Sequence, residues 1–187
     1  SRDRTPVILD EFCRDDSHFK AIHFSRNFGH PAALSAGLDH ASGEAVIVMD
    51  ADLQDPPKVV FKFIEKWKEG YDVVYGVRIK RKGWFVKRLA YWFFYRLLRW
   101  ASYLDKPLDA GDFSLMDKKV VEAIKALPER TLFMRGLRAW VGFKQCGVAY
   151  VREGRFAGAT KYSWRKLFKL ASDGIFSFSF MPIKLIR

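Results

Sequence analysis

Ala45-Val46-Ile47-Val48-Met49-Asp50-Ala51-Asp52 is the stretch that decides the fold class. Its continuous apolar run predicts a strand buried on both faces, as in the middle of a parallel sheet. Two acids follow at once. Side chains two apart on extended backbone point the same way, so Asp50 and Asp52 are expected to face one site, and Gln54 shares their parity. Hard oxygen ligands placed this way suit Mg²⁺ or Mn²⁺ carrying a diphosphate, with phosphate and water filling the remaining positions. A capping or turn role before Pro56 is the plainer alternative. Directly after a buried strand in an α/β pattern, the metal reading is favoured.

The flanks supply that pattern. Upstream, Thr5 is expected to cap a helix with Pro6 at its first position and Val7, Ile8, Leu9 and Phe12 along it. Residues 19–24 form a short apolar run that suits a strand. Residues 31–41 predict a helix of small residues, broken at Gly43. Downstream, Pro56-Pro57 opens a helix running to about Lys68, Gly70 ends it, and residues 72–77 form the next strand. Strands alternating with helices predict an α/β fold with a mainly parallel sheet, whose ligands gather at the carboxyl ends of the strands. Arg78 stands at such an end, followed by Lys80, Arg81 and Lys82.

From Gly83 the character changes. Residues 83–104 hold nine aromatics, including Trp84, Phe85, Trp92 and Phe93. On a helix, Arg88, Arg96 and Arg99 fall within about 80° of one another, opposite an apolar side. Four positive charges argue against a bilayer span, and an interfacial helix with those four aromatics toward lipid fits. A core helix with a basic solvent face is the alternative. Lys161 to Leu170 repeats the basic and aromatic mixture. Asp109-Ala110-Gly111-Asp112 precedes a second apolar stretch, Phe113 to Met116, and reads equally as an active-site loop or a turn into a strand. Arg155 and Lys161 flank Ala157-Gly158-Ala159. Such basic clusters are usually solvated faces; beside an interfacial helix they could bind a lipid phosphate.

Composition narrows the partners. The 187 residues carry 33 Lys and Arg against 21 Asp and Glu, a net charge of +12, with 16% aromatics. Basic charge mixed with aromatics favours a membrane surface over nucleic acid. Cys13 and Cys146 lie far apart and imply neither a disulfide framework nor a metal site. No run of 18 uncharged apolar residues is present, as a complete transmembrane helix would need. His18, His23, His30 and His40 neither cluster nor pair with a nucleophile; His30, after Gly29, is the one in a suggestive loop.

Ser25-Arg26-Asn27-Phe28-Gly29-His30, residues 46–57 with their Asp-Ala-Asp-Leu-Gln-Asp-Pro-Pro, residues 72–78 and Asp109 to Phe113 together resemble the polyprenyl-phosphate glycosyltransferases of glycosyltransferase family 2. Bactoprenol glucosyltransferases are nearer in pattern, dolichyl-phosphate mannose synthases more distant. Residues 155–162 look like the family's later basic motif, with Thr160 where serine is usual. The nearest match to the Gln-x-x-Arg-Trp of processive synthases is Arg135 to Trp140, without the glutamine, which argues against those enzymes.

The resemblance implies a GT-A fold. It also implies that a first strand, a nucleotide-binding turn and closing transmembrane helices lie outside this chain. Residues 1–160 would be the catalytic domain, with the interfacial helix inserted, and 161–187 a basic-aromatic juxtamembrane helix leading to a membrane segment. Implied too is inverting hexose transfer from a nucleotide sugar, UDP-glucose, to undecaprenyl phosphate at the cytoplasmic face of the inner membrane. Asp50 and Asp52 would hold Mg²⁺ or Mn²⁺ with Gln54 assisting, and Arg26, Asn27 and Ala51 would line the donor pocket with them. Asp112 would be base or orienter with Asp109 beside it, and Arg78, Arg155 and Lys161 would take the acceptor phosphate. A homo-oligomer is compatible with this. The alternatives are GDP-mannose-dependent transfer to a polyprenyl phosphate, a family 2 transferase with a non-lipid acceptor, and a non-enzymatic basic module. The last leaves the paired acids unexplained.

Overall fold

The computed structural model describes residues 3–79, 111–127 and 134–152. It divides the chain into two compact units, Ser1–Ala41 and Ser42–Arg187, each taken here by itself.

The first unit holds α1 (Thr5–Asp15) and α2 (His30–His40). Pro6 lies in the first turn of α1 as expected, but Thr5 is already helical and Arg4 stands at the N-cap. The Thr5 N–H is taken by Asp3 Oδ1 at 3.1 Å. Gly29 enters α2 with φ 91°, a left-handed backbone that side chains with a Cβ rarely adopt. Residues 19–24 are not a strand. Apolar character there met no ladder partner among the described residues, and a strand exists only by its pairing.

In the second unit, β1 (Ala45–Val48), α3 (Lys58–Lys68), β2 (Val73–Arg78), β3 (Ser114–Asp117), α4 (Lys118–Lys125), α5 (Met134–Trp140) and β4 (Gln145–Tyr150) follow in chain order. The four strands form one sheet in the order β1-β3-β2-β4. β3 pairs antiparallel with both β1 and β2, while β2 and β4 are parallel. The α/β class therefore holds, and β1, β2 and β4 share one direction. The ladders themselves are mixed, because β3 enters against that direction and wedges between β1 and β2. Among the described residues β1 ends the order, only Val48 of its residues is buried, and Ile47 is 38% exposed. An apolar run cannot by itself tell a central strand from an edge strand.

The core forms under α3. Val59 and Phe63 of that helix pack with Val74, Phe113, Leu115 and Tyr150. Phe113 is central, its ring 4.7 Å from Phe63 and 5.6 Å from Tyr150. Gly76 permits this: a Cβ there would lie 2.6 Å from the Tyr150 ring and 3.2 Å from Phe113. Asp117 ties three elements together. Its Oδ1 accepts the Lys119 N–H at 3.0 Å, capping α4, and its Oδ2 accepts Trp67 Nε1–H of α3 at 2.7 Å.

Register fixes where a site can form. Val48 and Tyr75 both pair with Ser114, and Arg78 pairs with Tyr150. The carboxyl ends of β1, β2 and β4 and the start of β3 thus meet at one end of the sheet. The expected interfacial helix, with Trp84, Phe85, Arg88, Trp92, Phe93, Arg96 and Arg99, lies outside the described residues, as do Asp109, Arg155, Lys161 and the boundary at residue 160. Among the described residues, no helix is long and apolar enough to cross a membrane.

Candidate active site at the carboxyl end of the sheet

Extended backbone stops at Val48, and residues 51–53 turn, with Leu53 at φ 57°. Asp52 Oδ1 accepts the Gln54 N–H at 3.2 Å, an Asx turn that reverses the chain. Asp50, Ala51, Asp52 and Gln54 therefore share a loop, not a strand face, and the parity that suggested them does not describe their placement. What puts the acids at the strand end is the turn before α3. Asp50, Asp52 and Gln54 keep partial exposure. Among the described residues, no three His, Cys, Asp or Glu side chains gather to hold a metal. A Mg²⁺-type ion fits such a sparse set when substrate phosphates and water supply the other ligands.

One residue beyond Gln54, the chain goes inside. Asp55 is 1% exposed. The Tyr150 hydroxyl donates a short hydrogen bond to its Oδ1. Arg78 Nε donates to the same hydroxyl at 3.2 Å, and Arg78 Nη2 lies 4.0 Å from Asp55 Oδ1. Burial and the Asp55 hydrogen bond push the Tyr150 phenol up, so it stays protonated as a donor at neutral pH. Arg152 approaches from the other strand. Its Nε is 3.5 Å from Asp55 Oδ1, and its Nη2 is 4.0 Å from Asp50 Oδ2.

The third component is the entry to β3. Gly111 is buried, and a Cβ on it would lie 2.9 Å from Arg78 Nη2. Asp112 is held by Arg135 of α5 in a two-pronged pair, Nε to Oδ1 at 3.0 Å and Nη2 to Oδ2 at 2.9 Å. Arg138, one turn along α5, is buried. Its guanidinium lies 5.2 Å from the Tyr75 ring, and Nη1 donates to the Gly111 carbonyl at 3.4 Å. Burial pulls Arg138 down to about 10, against the charge of Asp112, which leaves it cationic at neutral pH. Ser114 Oγ donates to the Asp112 carbonyl at 2.9 Å. Asp112 thus stands in a pinned strand entry with an oriented carboxylate.

Among the expected residues, Asp50, Arg78 and Asp112 stand at this end of the sheet, linked through Arg152, Asp55 and Gly111. Arg26 and Asn27 belong to the first unit and are engaged locally there: the Arg26 guanidinium lies 4.2 Å from the Phe28 ring, and Asn27 Oδ1 accepts the Gly29 N–H at 2.9 Å. Sequence reasoning missed Asp55, Tyr150 and Arg152, and it read Arg135 and Arg138 only as a failed motif. The usable signals were an acid directly before Pro56-Pro57 and two arginines three apart on a short helix.

Comparison with known proteins shows the family. Residues 1–125 match the glycosyl transferase family 2 description. The chain is 54% identical over 186 residues to an uncharacterized glycosyltransferase of Bacillus subtilis (strain 168), covering 99% of this chain and 58% of that protein. It is 46% identical over 187 residues to a bactoprenol glucosyl transferase of Shigella phage SfV, covering 99% and 61%. A prophage bactoprenol glucosyl transferase homolog of Escherichia coli (strain K12) is 45% identical over 187 residues, with 99% and 61% covered. The chain therefore spans about three fifths of the length of these relatives.

Proposed function

The chain belongs to glycosyl transferase family 2, and from that premise we propose that it transfers a hexose from a nucleotide sugar to a polyprenyl phosphate at the cytoplasmic face of the inner membrane. The donor in this reading is UDP-glucose, and the acceptor is undecaprenyl phosphate. Relatives named bactoprenol glucosyl transferase support the acceptor class. The observation that carries the reading is the convergence, at one end of the sheet, of the acidic turn at Asp50–Asp52 with Arg78, which ends β2, and Arg152, which follows β4.

In this reading Asp50 and Asp52 would hold Mg²⁺ or Mn²⁺ with Gln54 assisting, and a bound ion would supply charge neutralisation for the leaving nucleoside diphosphate. Ala51 lies in the same turn, and the resemblance alone assigns Arg26 and Asn27 to donor binding. An acceptor phosphate oxygen attacks the anomeric carbon as the bond to the diphosphate breaks, with inversion. A phosphomonoester with a second pKa of about 6 is already largely anionic at neutral pH, so holding it matters more than deprotonating it. Arg78, Arg155 and Lys161 hold it, and Asp112, with Asp109, orients the reacting groups. Trp84, Phe85, Trp92 and Phe93 rest in the membrane surface.

A donor screen tests this. The membrane-bound protein carrying this chain is incubated with undecaprenyl phosphate and radiolabelled UDP-glucose or GDP-mannose, and the lipid fraction is counted. Metal-dependent label in lipid from UDP-glucose is the expected result. Label from GDP-mannose instead replaces the donor, and label appearing only on non-lipid acceptors overturns the reading.

A further inference from the structure

Asp55 is an acid that the roles above leave unused, and it is among the most enclosed polar groups described. Placing a carboxylate inside a protein is costly, and it persists where partners compensate it. For core stability alone an apolar residue of similar size would serve as well or better. What Asp55 does instead is gather groups from two neighbouring strands. The Tyr150 hydroxyl donates to it, Arg152 Nε lies 3.5 Å away and Arg78 Nη2 4.0 Å away.

Arg78 ends β2, Tyr150 ends β4 opposite it in register, and Arg152 follows two residues later. The packing around the cluster is close. Gly76 leaves room for the Tyr150 ring, and Gly111 leaves room for the Arg78 guanidinium. Asp50 also approaches Arg152, its Oδ2 4.0 Å from Nη2, so the two guanidinium groups face two carboxylates, and both stay partly open: the Arg78 and Arg152 side chains are 21% and 26% exposed. Among the described residues, the buried Arg152 Nε makes no hydrogen bond. Two partly exposed guanidinium forks fixed from behind, beside a turn of acids, have the chemistry of a phosphoryl receptor.

We propose that Asp55 is a positioning residue: with Tyr150 it holds Arg78 and Arg152 as a two-arginine receptor for a substrate phosphoryl group. The group comes from the lipid monophosphate or from the nucleoside diphosphate; only this choice of ligands rests on the function proposed above. Arg152 would reach the ligand directly, while Asp55 acts through the arginines.

Calorimetry on the detergent-solubilised protein carrying this chain tests it with two probes, a water-soluble short-chain prenyl monophosphate and UDP with Mg²⁺. Asp55→Asn keeps the shape and a hydrogen-bond acceptor but removes the charge, and Arg152→Gln removes one fork from a partly exposed position. Both variants are expected to weaken at least one probe by about tenfold, the scale of a lost charge-assisted contact. Arg152→Gln also takes a partner from buried Asp55 and lowers the melting temperature; well below that temperature it should weaken one probe while the other still binds, a selectivity that a purely structural role would not produce. The probe that weakens identifies the source of the phosphoryl group. Wild-type affinity for both probes in Arg152→Gln overturns the proposal, whatever Asp55→Asn does, since Asp55 would then only support the fold. If the wild type binds UDP yet glycosylates no prenyl phosphate, the acceptor reading falls and the UDP arm still decides this one.

Discussion

Asp50 and Asp52 sit in a turn that leaves both partly open to solvent, next to a guanidinium that already approaches Asp50 at 4.0 Å. A cation bound there must compete with Arg152 for Asp50, so both carboxylate charges are needed. Asp50→Asn or Asp52→Asn is expected to lower transfer by about a hundredfold or more, the scale of lost charge stabilisation in a transition state. Mn²⁺ binding, followed by electron paramagnetic resonance, should weaken in parallel. Full turnover of the wild type in excess chelator would contradict the metal role. Gly76 makes a second residue-scale case. Its absent Cβ is the space the Tyr150 ring uses, so Gly76→Ala should cost about 1–3 kcal/mol by overpacking, read from chemical denaturation. The position of the Asp-x-Asp pair at a strand end was legible in the sequence because its neighbours are local, though the turn that carries it was not. Asp55 was not, since its partners stand at Arg78, Tyr150 and Arg152, and nothing in a linear reading brings those positions together.

Elements carried their own signals unevenly. α2 and α3 begin near their prolines and stop at glycine or a polar break, as local chemistry dictates. The mixed ladders were not legible, because β3 finds its place between β1 and β2 only through long-range packing of Phe113, Leu115 and Met116. The junction of β3 and α4 shows what holds that insertion. Asp117→Ala removes the α4 cap and leaves Trp67 Nε1–H without its acceptor, and it should cost about 2–3 kcal/mol in denaturant titration. Asp72 offers a pH test at the foot of β2. Lys119 Nζ lies 2.6 Å from Asp72 Oδ1, and the Lys144 N–H donates to Oδ2 at 3.1 Å. The Lys119 hydrogen bond, more than the Lys144 one, holds the Asp72 carboxyl below its ordinary value of 3.8. A depressed carboxyl contributes stability that is present above 3.8 and lost as pH falls through the lower folded value. Melting temperatures of the wild type and Asp72→Asn should therefore differ at pH 7 and converge below that value. An equal gap at every pH would assign the difference to packing.

At the scale of the whole chain, the charge is concentrated. The described residues carry 16 Lys and Arg against 16 Asp and Glu and are neutral overall. Residues 80–110 carry eight basic side chains against two acidic ones, and residues 153–187 carry seven against two. Nearly all of the +12 therefore lies in two stretches that also hold most of the tryptophans. A chain with such a division should meet an anionic surface through those stretches. Each basic side chain near an anionic membrane contributes about 1 kcal/mol, and salt screens that term within about 10 Å at 0.1 M. The aromatic term is hydrophobic and persists in salt. Binding to vesicles containing anionic lipid should therefore weaken as salt rises but not vanish, leaving a residue that depends on aromatics. Replacing Trp92 and Phe93 together with Ser should remove that high-salt residue, while Arg88→Gln with Arg96→Gln should flatten the salt dependence. Flotation at low and high salt measures both terms on the same samples. If the Ser variant floats like the wild type in high salt, the interfacial reading of Trp92 and Phe93 falls and the core-helix alternative replaces it.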